Sequence, residues 1–274
     1  MQPQAPIGFF DSGVGGLSIL AATRALLPDE NFIFIADQFH VPYGSRPLEQ
    51  VRQFSAGITE WLLKHGAKLI VVACNTASAA ALEYLRRTFS QIQFVGMEPA
   101  VKPAAEQTQT GVVGVLATPA TFQGALYASV VARFAQHVTV LQHTCPGLVA
   151  QIERGDLDTP ETRAILEDAL LPMLTRGIDR VVLGCTHYPF VSPLIQKIVG
   201  AQATIIDPSP AIARRIQTLL TAQNLLAPKL ALPAQTRVFT TGNADSLHAL
   251  LPRLYPYSAQ VNAVRWHENT LGNA

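Results

Sequence analysis

The stretch Val181-Val-Leu-Gly-Cys-Thr-His-Tyr-Pro-Phe190 decides how the rest of the chain is read. Val181 to Leu183 are β-branched and aliphatic, as expected at the end of a strand buried in a parallel sheet. Gly184 breaks the run, so Cys185, Thr186 and His187 fall where the strand passes into a loop. In open α/β sheets that carboxyl-end loop is where ligands bind. An echo lies earlier, at Leu69-Ile-Val-Val-Ala-Cys-Asn-Thr-Ala-Ser78: an apolar run, then Cys74, then small hydrogen-bonding residues. Two thiols offered alike by two similar units point to a pair facing one cleft.

Outward from these two stretches the chain alternates short apolar runs with helical patterns. Ile7 to Phe10 reads as a strand that ends in Asp11-Ser-Gly-Val-Gly-Gly16, before a helix over Leu17 to Leu27. Such a turn offers free backbone N–H groups to an anion. Its spacing is neither GxGxxG nor a P-loop, so a carboxylate suits it as well as a phosphate. For Asp11 the simplest reading is a helix cap. A second strand, Phe32 to Ala36, leads into the loop Asp37 to Arg46. Val51, Phe54, Ile58 and Leu62 mark one face of a helix that Gly66 closes. Strand 69–73 delivers Cys74, helix 76–88 follows, and strand 94–97 ends in Glu98-Pro-Ala100.

From Gly111 the pattern restarts. Strand 112–116 leads into Ala117-Thr-Pro-Ala-Thr121 and one helix to about Gln136. Strand 138–141, a helix carrying Glu153, and a helix from Thr159-Pro-Glu to about Arg176 precede strand 181–183. Strand 204–206 then ends in Asp207-Pro-Ser-Pro-Ala211. The acid-proline segments read as passages between domains, and strands near 237–241 and 261–266 return to the first. The fold class is therefore α/β, with two similar domains, each a mainly parallel sheet flanked by helices. Their expected bounds are 1–97 with 211–274, and 98–210.

Composition narrows the functions. The 274 residues are 49% hydrophobic and 14% charged with a formal net charge of +1, which disfavours a polyanionic partner and excludes a disordered chain. No apolar run approaches the roughly 20 residues that cross a bilayer. Met1-Gln-Pro-Gln-Ala-Pro6 lacks the regions of a signal peptide, so a cytoplasmic protein with reduced cysteines is expected.

Three simpler uses compete for the thiols. Zinc held by Cys74, Cys185, His187 and Cys145 is disfavoured, because no local CxxC or HxxxH pair is present. A single nucleophilic cysteine with His187 leaves the other thiol idle. Plain burial is common for cysteine, but matched positions beside hydroxyl and amide groups weaken it. Two-base proton transfer uses both: one thiolate removes a proton from one face of a stereocentre and one thiol supplies another to the opposite face. An ordinary thiol pKa near 8.5 suits each for acid or base work near neutrality. No cofactor motif is visible.

Taken together, Asp11-Ser-Gly-Val-Gly-Gly-Leu17, Pro42-Tyr-Gly44, Ala73-Cys-Asn-Thr-Ala-Ser78, Glu98-Pro-Ala100, Ala117-Thr-Pro-Ala-Thr121 and Leu183-Gly-Cys-Thr-His-Tyr-Pro189 resemble the glutamate racemases, in order and at similar intervals. The resemblance implies cofactor-independent interconversion of L- and D-glutamate for peptidoglycan, with no metal. It also implies pseudo-twofold symmetry of the two α/β domains about a shared active site. By position, Cys185 takes the α-proton of L-glutamate and Cys74 that of D-glutamate. Asp11 assists Cys74, while Glu153 and His187 assist Cys185. Asp11, Ser12, Tyr43, Gly44, Asn75, Thr76, Thr118, Thr121, Thr186 and His187 match positions that hold substrate. Gly124 stands where relatives often have serine. A homodimer is expected, with no membrane or direct nucleic-acid partner. The alternatives are an aspartate racemase or related two-cysteine isomerase and, from another class, a protein-binding regulator such as a gyrase inhibitor.

Overall fold

The structure is a computed structural model that describes residues 2–229 and 234–273. The chain divides into two compact units, Met1–Met97 with Ser209–Ala274, and Glu98–Pro208.

In the first unit the elements are β1 (Ile7–Asp11), α1 (Leu17–Leu26), β2 (Phe32–Ala36), α2 (Leu48–Lys64), β3 (Leu69–Val72), α3 (Asn75–Thr88) and β4 (Phe94–Val95). In the second unit they are α4 (Val101–Gln107), β5 (Val112–Ala117), α5 (Pro119–Gln123), α6 (Ala125–Phe134), β6 (Thr139–His143), α7 (Leu148–Arg154), α8 (Pro160–Thr175), β7 (Arg180–Gly184), α9 (Ser192–Val199) and β8 (Thr204–Ile206). The chain then re-enters the first unit with α10 (Ser209–Ala222), β9 (Thr236–Thr240), α11 (Ala244–Leu254), β10 (Gln260–His267) and β11 (Thr270–Asn273).

Among the described residues the first unit holds a sheet in the order β11-β10-β9-β2-β1-β3-β4, and the second a sheet in the order β6-β5-β7-β8. The segment β2-β1-β3-β4 thus repeats the order β6-β5-β7-β8, as the restart after Gly111 predicts. Every pairing is parallel except β10 with β11. Strands β2, β3 and β5, inside their sheets, are apolar throughout, as expected where helices cover both faces of a parallel sheet. All five residues of β1 and of β2 are buried. Edge strand β6, paired on one side only, instead buries Leu141 alone.

Helix α2 buries Val51, Phe54, Ile58 and Leu62, and Gly66, at φ +80°, ends it where a side chain would be strained. Gly57 on the same helix has another use. A Cβ there would lie 2.5 Å from the Asn269 carbonyl oxygen and 2.8 Å from the Trp266 ring, so glycine lets the C-terminal hairpin β10–β11 sit directly on α2.

Three expectations change. Helix α1 is capped at Gly16 without a side-chain hydrogen bond, and Asp11 ends β1, so Asp11 is not its cap. The single helix expected up to Gln136 is two, because Gly124 adopts an extended ψ of 136° between α5 and α6. Strand β4 stops at Val95, and the Met97 N–H is taken at 2.8 Å by the Ser78 hydroxyl of α3.

Candidate active site

In the first unit the carboxyl ends of β1 and β3 lie at one level, with Phe10 opposite Val72 and the Ala73 N–H donating to the Phe10 carbonyl. Asp11-Ser12 and Cys74 therefore leave the sheet side by side. Cys74 is the N-cap of the 14-residue helix α3, and its Sγ accepts the Ala77 N–H at 3.4 Å. The positive end of a helix dipole favours anionic sulfur there. The thiol lies 3.9 Å from the Ser12 hydroxyl, which donates to Asp11 Oδ1 at 3.0 Å. Asp11, Ser12, Asn75 and Thr76 are all buried. The Asn75 amide is unusual: neither its Nδ2 nor its Oδ1 meets a partner within the protein. Leaving both unsatisfied is costly unless a ligand supplies an acceptor and a donor.

Tyr43 and Gly44 begin a short 3-10 turn, Tyr43–Ser45, in the loop after β2. The Tyr43 hydroxyl donates to Asp37 Oδ2 at 2.6 Å. Burial, then Asp37, Cys74 and Asp11, hold the Tyr43 pKa well above the ordinary tyrosine value, so it stays a neutral donor. Asp37 is absent from the sequence-based set. Its position at the carboxyl end of β2 was the available signal.

The second unit repeats the layout. Ala117 of β5 pairs with Gly184 of β7, so Thr118 and Cys185 leave adjacent strands together. Thr118 precedes α5, and its hydroxyl meets that of Thr121 at 3.0 Å. Cys185 lies 3.8 Å from His187 Nδ1, and His187 Nε2 lies 2.6 Å from Glu153 Oε1 on α7. Burial lowers the His187 pKa, but the hydrogen bonds and charges of Cys185 and Glu153 outweigh it and hold the imidazole well above its ordinary value. Thr186 and His187 are buried. Glu153, expected from the resemblance to assist Cys185, is thus brought against His187.

Cys145 also belongs to this neighbourhood. Burial first, then Cys185 and Asp168, push its thiol up to about 12. Its φ of 45° is left-handed, and its N–H donates to His143 Nδ1. Among the described residues, no group of three or more His, Cys, Asp or Glu side chains could hold a metal, and no helix is long and apolar enough to cross a membrane.

Residues 17–216 match the model of the Asp/Glu/hydantoin racemases. The chain belongs to that family. This racemase is 49% identical to the glutamate racemase of Roseiflexus sp. (strain RS-1) over 92% of its own length and 93% of the relative's. Its fold superposes on glutamate racemase isoform RacE1 of Bacillus anthracis with a TM-score of 0.86 at 33% identity, covering 98% and 100% of the two chains. Escherichia coli glutamate racemase, solved in complex with L-glutamate and the activator UDP-MurNAc-Ala, gives 0.83 at 33% identity over 94% and 97%. The racemase's two thiol-bearing strand ends, β3 and β7, both fall within the matched span.

Proposed function

We propose that this racemase interconverts L- and D-glutamate by two-base proton transfer, with Cys74 and Cys185 acting on opposite faces of the α-carbon. The observation that carries the reading is the repeated placement of a buried thiol at equivalent strand ends, each with its own carboxylate-terminated chain of partners. High identity to named glutamate racemases over nearly the whole chain supports glutamate over aspartate.

From L-glutamate, the Cys185 thiolate takes the α-proton; the C–H bond breaks and its electron pair stays on carbon, delocalised into the carboxylate. The Cys74 S–H bond then breaks and its proton forms the new C–H bond on the other face. Cys74 is left as thiolate and Cys185 as thiol, the state that accepts D-glutamate. His187, held protonated by Glu153, stabilises the Cys185 thiolate and manages its proton; on the other side the N-terminus of α3 stabilises the Cys74 thiolate, and Asp11 manages its proton through Ser12. Ser12, Asn75, Thr76, Thr118, Thr121, Thr186 and the Tyr43-Gly44 turn hold the substrate. The unpaired Asn75 amide suits a ligand carrying both an ammonium and a carboxylate. Thiols perform both transfers, so the reaction proceeds without pyridoxal phosphate or metal. The D-glutamate supplies peptidoglycan assembly in the cytoplasm.

The test is racemisation of L-glutamate, with L-aspartate alongside, in deuterium oxide. The D-glutamate formed should be deuterated while the remaining L-glutamate stays mostly unlabelled early in the reaction. Rapid labelling of the starting enantiomer would mean a single base and would overturn the mechanism. Turnover of aspartate alone would overturn the substrate.

A further inference from the structure

Asp37 is a fully buried carboxylate that meets four donors. Its Oδ2 accepts the Tyr43 hydroxyl at 2.6 Å and His40 Nδ1 at 2.9 Å. Its Oδ1 accepts the Thr241 hydroxyl at 2.8 Å and the Trp266 indole N–H at 2.7 Å. One oxygen therefore serves the loop after β2, and the other serves the C-terminal strands. The Trp266 ring is aimed by packing: it lies in the space left by Gly57, with centroids 5.8 Å from Phe54 and 5.4 Å from His40. His40 in turn stacks on Phe54 at 3.7 Å and takes the Arg46 Nε–H on its carbonyl.

A buried carboxylate is stable only while its lone pairs are engaged, and loss of one donor leaves charge uncompensated. The orientation that lets Oδ1 take the indole N–H also points Oδ2 at Tyr43. We propose that Trp266, acting through Asp37, is a positioning residue for substrate binding: it fixes the carboxylate that holds the Tyr43-Gly44 turn in place. The proposal rests on the racemase reading for its kinetic consequence, since that reading assigns the turn to the substrate. Its structural consequence stands alone.

Trp266→Phe keeps the ring packing and removes the N–H. In the full-length, substrate-free protein, amides of residues 38–46 should exchange with deuterium roughly fivefold faster or more, with exchange around Glu153 unchanged. In racemisation, KM for both enantiomers should rise about fivefold while kcat changes less than about twofold. Wild-type exchange in 38–46, or a loss confined to kcat, would overturn the proposal. If W266F does not fold, Asp37→Asn reads the same link, because an amide offers a single acceptor oxygen. It should loosen 38–46 in the same way, and unaltered exchange there would overturn the proposal. A wild-type protein that leaves glutamate untouched would sink the racemase reading, while the exchange result would still judge Trp266.

Discussion

The two thiols sit at equivalent positions of two four-strand segments of the same order, β2-β1-β3-β4 and β6-β5-β7-β8, yet their surroundings store protons differently. Beside Cys74 a hydroxyl, that of Ser12, stands between sulfur and the Asp11 carboxylate, and a 14-residue helix begins at the sulfur. Beside Cys185 an imidazole, that of His187, stands between sulfur and Glu153, and a 3-10 turn, Tyr188–Val191, follows instead of a long helix. A hydroxyl passes hydrogen bonds but holds no charge near neutral pH. An imidazole raised by two anionic partners can carry one. One side stabilises a thiolate with a fixed dipole, and the other with a titrating cation. Equivalent positions in a repeat need not mean equivalent chemistry.

The largest expected effect treats the two sides alike. Cys74→Ala and Cys185→Ala should each lower racemisation by about 10⁴-fold, the upper range for losing a proton-transfer group. A Cys74→Ala variant retaining most activity would break the pairing.

Asp11→Asn and His187→Gln should tell the sides apart. Each should cost about 10²-fold. Because enantiomers have equal free energy, kcat/KM must fall equally in both directions, and only isotope effects reveal the side affected. In Asp11→Asn the effect on kcat/KM should be large from α-deuterated D-glutamate and small from α-deuterated L-glutamate. In His187→Gln the order should reverse. The same order in both variants would mean that these residues do not serve separate thiols.

Glu153→Gln should cost about tenfold, within the weaker range of such assistance. Without the Glu153 charge the His187 pKa falls, so the alkaline limb of kcat/KM should move to lower pH. A limb moving upward would contradict the His187–Glu153 link.

Stability gives a smaller signal of the same asymmetry. The folded pKa of His187 is raised above its unfolded value near 6.5. Protonated His187 therefore adds stability that is fully present below that value and is lost as pH rises through the folded one. The gap in urea midpoint between wild type and His187→Gln should narrow on the alkaline side of neutrality. The smallest effect is Cys145→Ala. Its thiol, pushed up to about 12, stays neutral, so activity should change less than about twofold while stability falls by about 1 kcal/mol.

Much of this was legible in the chain because parallel strands covered on both faces leave apolar runs that end abruptly. Val181 to Gly184 and Leu69 to Val72 announce both their strands and the residues presented at their ends. The Cys185–His187 pair is local in sequence, and a thiol two residues from an imidazole is readable. Glu153 is harder: it reaches His187 across 34 residues from a helix whose local pattern says nothing of its partner. Asp37 and Trp266 lie 229 residues apart, so neither residue alone signals the bond. Strand β11, Thr270-Leu-Gly-Asn273, is too short and too glycine-containing to declare itself, and it forms against β10 and α2 through tertiary packing.

The split of the first unit between Met1–Met97 and Ser209–Ala274 sets a timetable for synthesis. Strand β2 is made early, but its partner β9 begins only at Thr236. At ribosomal rates of about 5–20 residues per second, the roughly 200 residues between them take on the order of 10–40 s to appear. For that interval the apolar β2 edge has unpaired N–H and carbonyl groups, the condition that invites pairing with another nascent chain. Yield in a fast expression host should therefore depend on slowed translation or on a chaperone that occupies this edge until β9 arrives.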